Sequence, residues 1–210
     1  MENDFAVLLG EPNSSKIQIN NPTFLNLYGQ QRFGINDNSW KIGQKICQRK
    51  YSEICDDLDI WSLGKSAEEC IRGNVSFYQR QFFLHSFSSK VWNDLVEEVF
   101  SLNTAERTDL ALDLSVPTLG KNLNQALGNK PYKIKYFKIL SEKYKIILPE
   151  NDEKFCKFPE INLKLIGSSR KVYSKAENFC YQYDNCQHKF KFKLPAGSYA
   201  TVFLSEYFNF

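Results

Sequence analysis

The sequence lacks any run of apolar residues long enough to cross a membrane. Although 42% of the 210 residues are hydrophobic, no uninterrupted apolar stretch approaches the roughly 18 residues that a membrane helix needs. Residues 1 to 20 also lack the basic segment and apolar run of a secretory signal. The composition therefore predicts a globular intracellular protein of the cytoplasm or nucleus, with an organelle as the alternative, and no membrane partner.

The six cysteines lack the spacings of a disulfide framework or a zinc finger. No C-x-x-C pair occurs and the chain is too long for a disulfide miniprotein, so free thiols are expected. Cys180, Cys186 and His188 form the one cluster that suggests a metal, but no fourth ligand is evident. We therefore predict no metal site. His85 lies among apolar residues, and we expect a packed side chain rather than a catalytic base.

The sequence also lacks internal repeats, low-complexity tracts and a strong excess of charge. Its formal net charge of +3 does not demand a wide surface for nonspecific nucleic-acid binding, but it leaves room for a local basic groove. At 210 residues the chain is long enough for one substantial core or two small ones. Composition alone therefore does not place domain boundaries.

The stretch Asn26–Gly34 combines residues that few packed cores need together. Gly29 and Gly34 can take backbone angles closed to other residues, so the segment between them can fold tightly. Tyr28 offers a flat ring for stacking. The remaining candidates are two amides, a guanidinium and an aromatic anchor, namely Asn26, Gln31, Arg32 and Phe33.

These side chains suit a flipped nucleobase. The amides can donate and accept hydrogen bonds, and Arg32 supplies a planar fork for phosphate or a base edge. The alternative is an ordinary surface turn in which Phe33 anchors in the core and Arg32 points to water.

The stretch Asn26–Gly34, which reads N-L-Y-G-Q-Q-R-F-G, resembles the N-Y-F-G-x-Q-R-F-G motif of the TruD family of pseudouridine synthases. Leu194–Thr201, which reads L-P-A-G-S-Y-A-T, resembles that family's near-terminal L-P-x-G-S-[YF]-A-T signature. The two motifs occur in the family's order, and the resemblance implies that Asn26–Gly34 and Leu194–Thr201 lie side by side in the fold, although about 160 residues separate them. Gly197 and Ser198 lie in the second one, and their backbone N–H groups are candidates for holding an anion.

The resemblance implies an α+β fold. A mixed or antiparallel sheet with helices forms a partial catalytic domain, and an inserted α+β TRUD domain interrupts it. By this resemblance the catalytic pieces are residues 1–45 and 170–210, and the insert is residues 46–169. The family works on RNA without cofactor or metal, so the expected partner is RNA, and transfer RNA in particular.

The family's catalytic aspartate has no counterpart in these residues. It belongs to a G-x-K-D-K-like motif upstream of the N-Y-F-G loop, whereas Gly64-Lys65 is followed by Ser66 and Gly120-Lys121 by Asn122. We therefore expect no catalytic residue and no activity from this chain alone, with the family's N-terminal segment as a further expected partner. The alternative is a noncatalytic RNA-binding or assembly protein on the same scaffold. Ser205 also departs from the family, which usually has arginine there.

Two basic groups are candidates for contact with an RNA backbone. Ser39 is a plausible N-cap for a helix that carries Ile42, Ile46, Cys47, Ile54 and Cys55 on one face. The other face carries four cations, Lys41, Lys45, Arg49 and Lys50, of which Lys41 and Lys45 are the candidates for RNA contact. Arg170 and Lys171 end a Gly167–Lys171 stretch that is similar to a late G-x-x-R-K/R stretch of the family. The alternative for the lysines is a solvated helix face.

Five further stretches predict local structure. The period of apolar residues from about Ser76 to Phe100 predicts a long core helix. Asp113–Gly120 suits a loop. Strict alternation in Lys189–Leu194 predicts a strand with its lysines outward, and the residues after Pro195 predict a closing helix. The apolar run Phe5–Leu9 predicts another buried strand.

Overall fold

A computed structural model describes residues 16–19, 21–34, 36–101, 112–149, 152–184 and 187–207. The α+β class expected from the sequence is confirmed. Residues 16–19 pair antiparallel with 179–182, residues 23–25 with 173–175, residues 157–158 with 163–164, and residues 177–184 with 187–193. The expected strand at Phe5–Leu9 lies outside the described residues. In chain order the strands and helices are β1 Lys16–Ile19, β2 Thr23–Leu25, α1 Ser39–Cys47, α2 Tyr51–Leu58, α3 Ala67–Asn74, α4 Phe77–Phe100, β3 Ser115–Pro117, α5 Leu123–Leu127, α6 Lys133–Lys138, α7 Asp152–Phe155, β4 Lys157–Phe158, β5 Leu163–Lys164, β6 Ser169–Lys171, β7 Tyr173–Lys175, β8 Glu177–Asp184, β9 Gln187–Lys193 and α8 Ala200–Tyr207.

The chain divides into two compact units. Unit 1 consists of residues 1–29, 101–114 and 171–210, and unit 2 consists of residues 30–100 and 115–170. The domain pieces expected from the family resemblance, with limits at residues 45 and 170, remain a prediction. No helix among the described residues is both long and apolar enough to cross a membrane.

Unit 1 is a small sheet closed by a helix. The three-stranded sheet has the order β1-β8-β9, and β2 pairs separately with β7. The pairing of β8 with β9 is irregular between Glu177 and Cys180, where Asn178 has a φ of +54°. Asparagine tolerates this left-handed conformation better than most residues, so it suits a bulge.

The core of unit 1 is aromatic, and Phe203 of α8 lies at its centre. Phe203 is fully buried, with ring centroids 5.2 Å from Phe24, 5.5 Å from Phe179 and 5.0 Å from Phe192. Phe190, Phe192 and Leu194 pack against this cluster, while Lys189, Lys191 and Lys193 are exposed. The expected alternation of the strand and the expected closing helix are thus both confirmed.

Unit 2 is organised around α4, the long helix expected from the sequence. Its buried residues run from Arg80 to Val96 and fall on more than one face, so neighbours cover this helix on several sides. Trp92 is fully buried, and its indole N–H donates to the Val116 carbonyl oxygen at 3.1 Å. Arg80 is also buried, and its guanidinium donates to carbonyl oxygens at the end of α3, including that of Arg72 at 3.3 Å.

Helices α1 and α4 approach each other closely at Gly43. A Cβ atom at Gly43 would lie 2.0 Å from the Phe83 carbonyl oxygen and 2.8 Å from the Phe87 Cβ. Only a residue without a side chain therefore fits this crossing. The glycine fixes the distance between the two helices.

The prediction of a single helix from Ser39 to Cys55 is wrong, since α1 ends at Cys47 and α2 begins at Tyr51. Arg49 between them has a φ of +56°, which an α-helix does not contain. Ser39 is the first helical residue rather than the cap. Asn38 occupies the cap position and makes no side-chain capping bond.

The loop expected at Asp113–Gly120 is also partly wrong, because Ser115–Pro117 forms β3 and pairs with β6. This strand is only three residues long and one of them is proline, so its sequence shows no clear alternation of apolar and polar residues. The described cysteines are free thiols, as expected, and Cys47, Cys55, Cys70 and Cys156 are buried.

We predict that Gly43→Ala destabilises the protein by about 1–3 kcal/mol, the usual cost of forcing extra atoms into a packed core. The measurement is the midpoint of urea unfolding with an unchanged m-value. The added methyl group would have to displace the backbone of α4, which cannot yield as a flexible side chain would.

Gly73→Ala is the matched control, because Gly73 also lies in a helix but a Cβ there would meet no atom within 4 Å. This variant should be neutral or more stable by about 0.5–1 kcal/mol, since alanine favours helix. Equal effects of the two substitutions would contradict the close crossing at Gly43.

Candidate functional site

Asn26 follows the last residue of β2 and links two distant segments of unit 1. Its backbone N–H donates to the Val172 carbonyl oxygen at 2.8 Å, which extends the pairing of β2 with β7 by one residue. Its side-chain Nδ2 donates to the Lys171 carbonyl oxygen at 3.1 Å. Asn26 is 7% exposed, so its amide acts from within the fold.

Ser198 reaches the same amide from the other end of the chain. Its hydroxyl donates to Asn26 Oδ1 at 2.9 Å, across 172 residues of sequence. The Ser174 hydroxyl lies 3.2 Å from that of Ser198. Because Ser198 has one hydroxyl proton and gives it to Asn26, Ser174 must be the donor of this second bond. These two hydrogen bonds form a relay that runs from Ser174 through Ser198 to Asn26.

The rings of Tyr28 and Tyr199 meet beside this relay. Their centroids are 6.3 Å apart with an angle of 59° between the planes, which is a favoured tilted geometry. Both side chains are half-buried. The juxtaposition of the segments beginning at Asn26 and at Leu194, expected from the two motifs, is therefore confirmed at two residue pairs.

Helix α8 is fixed to β2 next to this pair. The Glu206 carboxylate accepts the Leu25 N–H at 2.9 Å, and the Tyr207 hydroxyl donates to the Thr23 carbonyl oxygen. These bonds place the turn before α8 against the end of β2. The relay and the tyrosine pair are therefore held by both elements.

The turn at Gly197 and Ser198 uses part of its own donor capacity. Gly197 has a φ of +84°, which a side chain would strain. The Ser198 N–H donates to the Pro195 carbonyl oxygen at 3.1 Å, so this donor closes the turn instead of pointing at an anion. Contrary to the expectation from the sequence, the Ser198 N–H is therefore not directed at an anion site.

Gln31, Arg32 and Phe33 belong to unit 2. Gln31 is exposed on a 3-10 turn at Gln30–Arg32, and Phe33 is buried. Arg32 is held against α4, since its Nε donates to the Ser89 hydroxyl at 3.2 Å and its carbonyl accepts from the Ser86 hydroxyl at 2.8 Å. The structure thus gives Phe33 the anchoring role of the alternative reading, while Arg32 is half-buried rather than directed entirely at water.

The basic candidates differ in how far protein groups already hold them. Lys45 pairs with Asp57 at 2.7 Å and Glu53 at 3.5 Å, and the hydrogen bond to Asp57, followed by that to Glu53, raises the pKa of Lys45. Lys41 is exposed and donates to Asn38 at 3.0 Å. These bonds favour the interpretation of a solvated helix face.

Arg170 and Lys171 lie in the same short strand but in different units. The Arg170 guanidinium lies 5.4 Å from the ring centroid of Trp92 in unit 2, a cation–π contact. Lys171 in unit 1 pairs with Asp113 at 3.2 Å, and both side chains are exposed. Lys171 therefore remains accessible to a phosphate, since an exposed ion pair is weak.

The histidines have structural partners. Burial, and then the nearby Arg32, lower the pKa of His85, so this ring stays neutral and packed as expected. His188 shares a hydrogen bond of 2.9 Å with the Tyr181 hydroxyl. Cys186 lies outside the described residues, and within them no group of three or more metal-binding side chains occurs.

Sequence reasoning missed a buried carboxylate in unit 2. Asp94 on α4 is 7% exposed. Its carboxylate forms ion pairs with the ammonium groups of Lys90 at 2.8 Å and Lys143 at 2.6 Å, and it accepts a hydrogen bond from the Tyr144 hydroxyl. The Tyr144 carbonyl oxygen in turn accepts two side-chain amides, that of Gln44 in α1 at 3.0 Å and that of Gln48 just after α1 at 2.9 Å. The i,i+4 spacing of Lys90 and Asp94 was the one trace of this cluster in the sequence.

The charge on Asp94 is favoured despite its burial. Burial raises the pKa of Asp94, but hydrogen bonds from Lys143, Lys90 and Tyr144 outweigh burial, so the pKa lies below its usual value. Burial and then Asp94 raise the pKa of Tyr144, which keeps its hydroxyl protonated as a donor. A carboxylate held this firmly joins α1, α4 and the turn after α6 rather than attacking a substrate.

We predict that Asp94→Asn destabilises the protein at pH 7 by about 1–3 kcal/mol, the scale of a lost hydrogen bond to a charged group. Because the folded pKa of Asp94 is depressed, its contribution is complete above the unfolded pKa of about 3.9 and is lost as the pH falls through the folded pKa. The gap between the two proteins should therefore shrink below about pH 4, as measured by urea unfolding across pH.

Glu98→Gln is the control, since Glu98 lies on the same helix and forms an exposed ion pair with Lys135. This change should cost less than about 1 kcal/mol at pH 7. A gap for Asp94→Asn that stays constant down to pH 3 would contradict the role assigned to its charge.

Comparisons of the chain with protein-family models, with curated proteins and with solved structures find no match. The resemblance to the TruD family therefore depends on the sequence motifs alone. At this site a buried amide bonds to the Ser198 hydroxyl, and the half-buried rings of Tyr28 and Tyr199 meet in the segments that this bond joins.

Proposed function

We propose that this chain binds RNA as part of a TruD-type pseudouridine synthase, with a uridine base placed against Tyr28. The observation that supports this most directly is the bond from Ser198 to Asn26, which joins the two motifs of the resemblance. A nucleotide site needs more than one wall, and here two segments far apart in sequence supply them. The aromatic pair beside this bond provides flat apolar area.

The amide of Asn26 positions the site in this proposal. Its Nδ2 and Oδ1 both bond to protein groups, so it orients the segment that carries Tyr28. Tyr28 then contacts the base, because stacking on an aromatic ring needs no base-specific hydrogen bonds. In this proposal Asn26 holds the backbone of the motif and Tyr28 meets the ligand.

The second candidate is a noncatalytic RNA-binding or assembly protein on the same scaffold. The observation that favours it is the absence of a G-x-K-D segment from the 210 residues. Both candidates use the same scaffold. The synthase needs a catalytic carboxylate, whereas the noncatalytic protein needs none.

For binding, we predict that Tyr28→Ala weakens affinity for a uridine-containing transfer RNA by about 1–3 kcal/mol, the usual scale for a base stacked on an aromatic ring. Tyr28→Phe should be nearly neutral because the ring remains. Fluorescence polarisation with labelled RNA measures the affinity, and the melting temperature of each variant checks its fold.

Tyr78→Ala is the matched control for that experiment, since Tyr78 is 81% exposed at the start of α4 and belongs to neither motif. Unchanged RNA affinity in a folded Tyr28→Ala protein would rule out stacking on this ring. Equal losses from both tyrosines would indicate binding without this site.

For catalysis, we predict that the 210-residue chain alone forms no pseudouridine in transfer RNA, because it has no counterpart of the family's aspartate motif. Carbodiimide labelling followed by primer extension detects the product, with an active TruD enzyme on the same RNA as the positive control. Stoichiometric conversion by the purified chain would show that one of its own carboxylates serves, and would overturn the noncatalytic alternative.

A further inference from the structure

A cleft in unit 2 carries hydroxyl and ammonium groups that the proposed function does not use. Its volume is about 270 Å³, which is below the range of pockets for drug-sized ligands and is sufficient for a phosphate with part of a sugar. We call it the serine cleft and define it by Ser115, Thr118, Lys121, Lys130, Ser168 and Ser169.

The backbone under the serine cleft is fixed by contact between two glycines. A Cβ at Gly120 would lie 2.0 Å from the Gly167 nitrogen, so the two chain segments touch directly. Thr118 and Ser168 join the same segments, since the Thr118 N–H donates to the Ser168 carbonyl oxygen at 2.8 Å and the Ser168 N–H donates to the Thr118 hydroxyl at 2.9 Å. The wall of the cleft is thus rigid before any ligand arrives.

These bonds use the N–H groups of Thr118 and Ser168 within the protein, and the Thr118 hydroxyl also lies 3.2 Å from the Ser168 carbonyl oxygen. The Lys121 N–H also donates within the protein, to the Leu165 carbonyl oxygen at 3.2 Å. The Ser168 hydroxyl lies 3.2 Å from that of Thr118, next to the hydroxyls of Ser115 and Ser169 in the lining. Hydroxyl and ammonium donors together are a common way to bind the oxygens of a phosphate.

The charges around the serine cleft favour an anion. No lining residue is acidic, and Lys130 forms no ion pair with any residue that the structure describes. Lys121 pairs with Glu153 at 3.1 Å, but both side chains are about half exposed, so the pair is weak. The buried Asp152 carboxylate is occupied by the N–H groups of Asn122 at 3.2 Å and Asn124 at 2.7 Å.

We propose that the serine cleft binds a phosphate group, through the ammonium of Lys130 and the hydroxyls of the paired strands β3 and β6. The group can belong to a free phosphate compound or to the backbone of a nucleic-acid strand, since both present the same oxygens. The site lies wholly within unit 2 and stands independently of base stacking on Tyr28.

The test is a titration of the full chain with inorganic phosphate, followed by ¹H–¹⁵N NMR, with sodium chloride at equal ionic strength as the reference. The amide signals of Thr118, Ser168 and Ser169 should shift with saturation. The double variant Lys130→Gln with Ser169→Ala should weaken this binding about tenfold, as expected for losing a hydrogen bond to a charged group. Both residues are exposed, so the variant should fold.

Lys65→Gln removes the same charge from an exposed residue outside the cleft and should change phosphate affinity less than twofold. Shifts that sodium chloride reproduces, or equal losses in the control and the double variant, would overturn the proposal. Tyr28→Ala should leave the phosphate titration unchanged, so failure of the proposed function and failure of this site give different results.

A second arm identifies the source of the phosphate with a single-stranded oligouridylate. If the ligand is a nucleic-acid strand, Lys130→Gln lowers RNA affinity and reduces the slope of log K against log salt by about 1. If it is a free phosphate compound, the variant loses inorganic phosphate while RNA affinity stays the same. Each result supports a phosphate site and assigns its origin.

Discussion

One buried amide joins three segments of unit 1 by hydrogen bonds. Asn26 ends β2, continues its pairing to Val172, and bonds through its side chain to Lys171 and Ser198. A buried amide without partners would cost free energy, so the three segments are held to one arrangement. The aromatic cluster around Phe203 stabilises the unit by apolar packing, which does not depend strongly on orientation. The hydrogen bonds of Asn26 are directional, and they determine which turn meets which strand end.

Unit 2 likewise combines close packing of its helices with a few directional polar bonds. The close crossing at Gly43 sets the distance between α1 and α4. Asp94 and Tyr144 then fix the segment after α6 to both helices by charge and hydrogen bonds. The serine cleft lies elsewhere in this unit, where a contact between two glycines leaves hydroxyl side chains around an open space. Both units thus combine rigid backbone crossings with a small number of oriented polar groups.

Patterns that repeat were predictable from the sequence, and single contacts were not. The period of four in α4 and the alternation in β9 each span enough residues to indicate structure, and both elements occur as expected. The break between α1 and α2 was missed because nothing in Gln48-Arg49-Lys50 marks a left-handed residue. The meeting of Asn26 with Ser198 followed from a motif resemblance. The cluster at Asp94 and the serine cleft had no such guide, because their residues come from separate segments with ordinary spacing.

The discontinuous make-up of unit 1 bears on the order in which the chain folds during synthesis. β1 pairs with β8, so Lys16 meets Gln182, and β2 pairs with β7. Every residue of unit 2 leaves the ribosome before β7 and β8 do, because unit 2 ends at residue 170. Phe24 and Leu25 of β2 therefore stay without their partners while the middle of the chain becomes available to fold. β1 and β2 are thus made well before β8 and β7, with which they pair, and a chaperone that shields apolar strands has a long opportunity there.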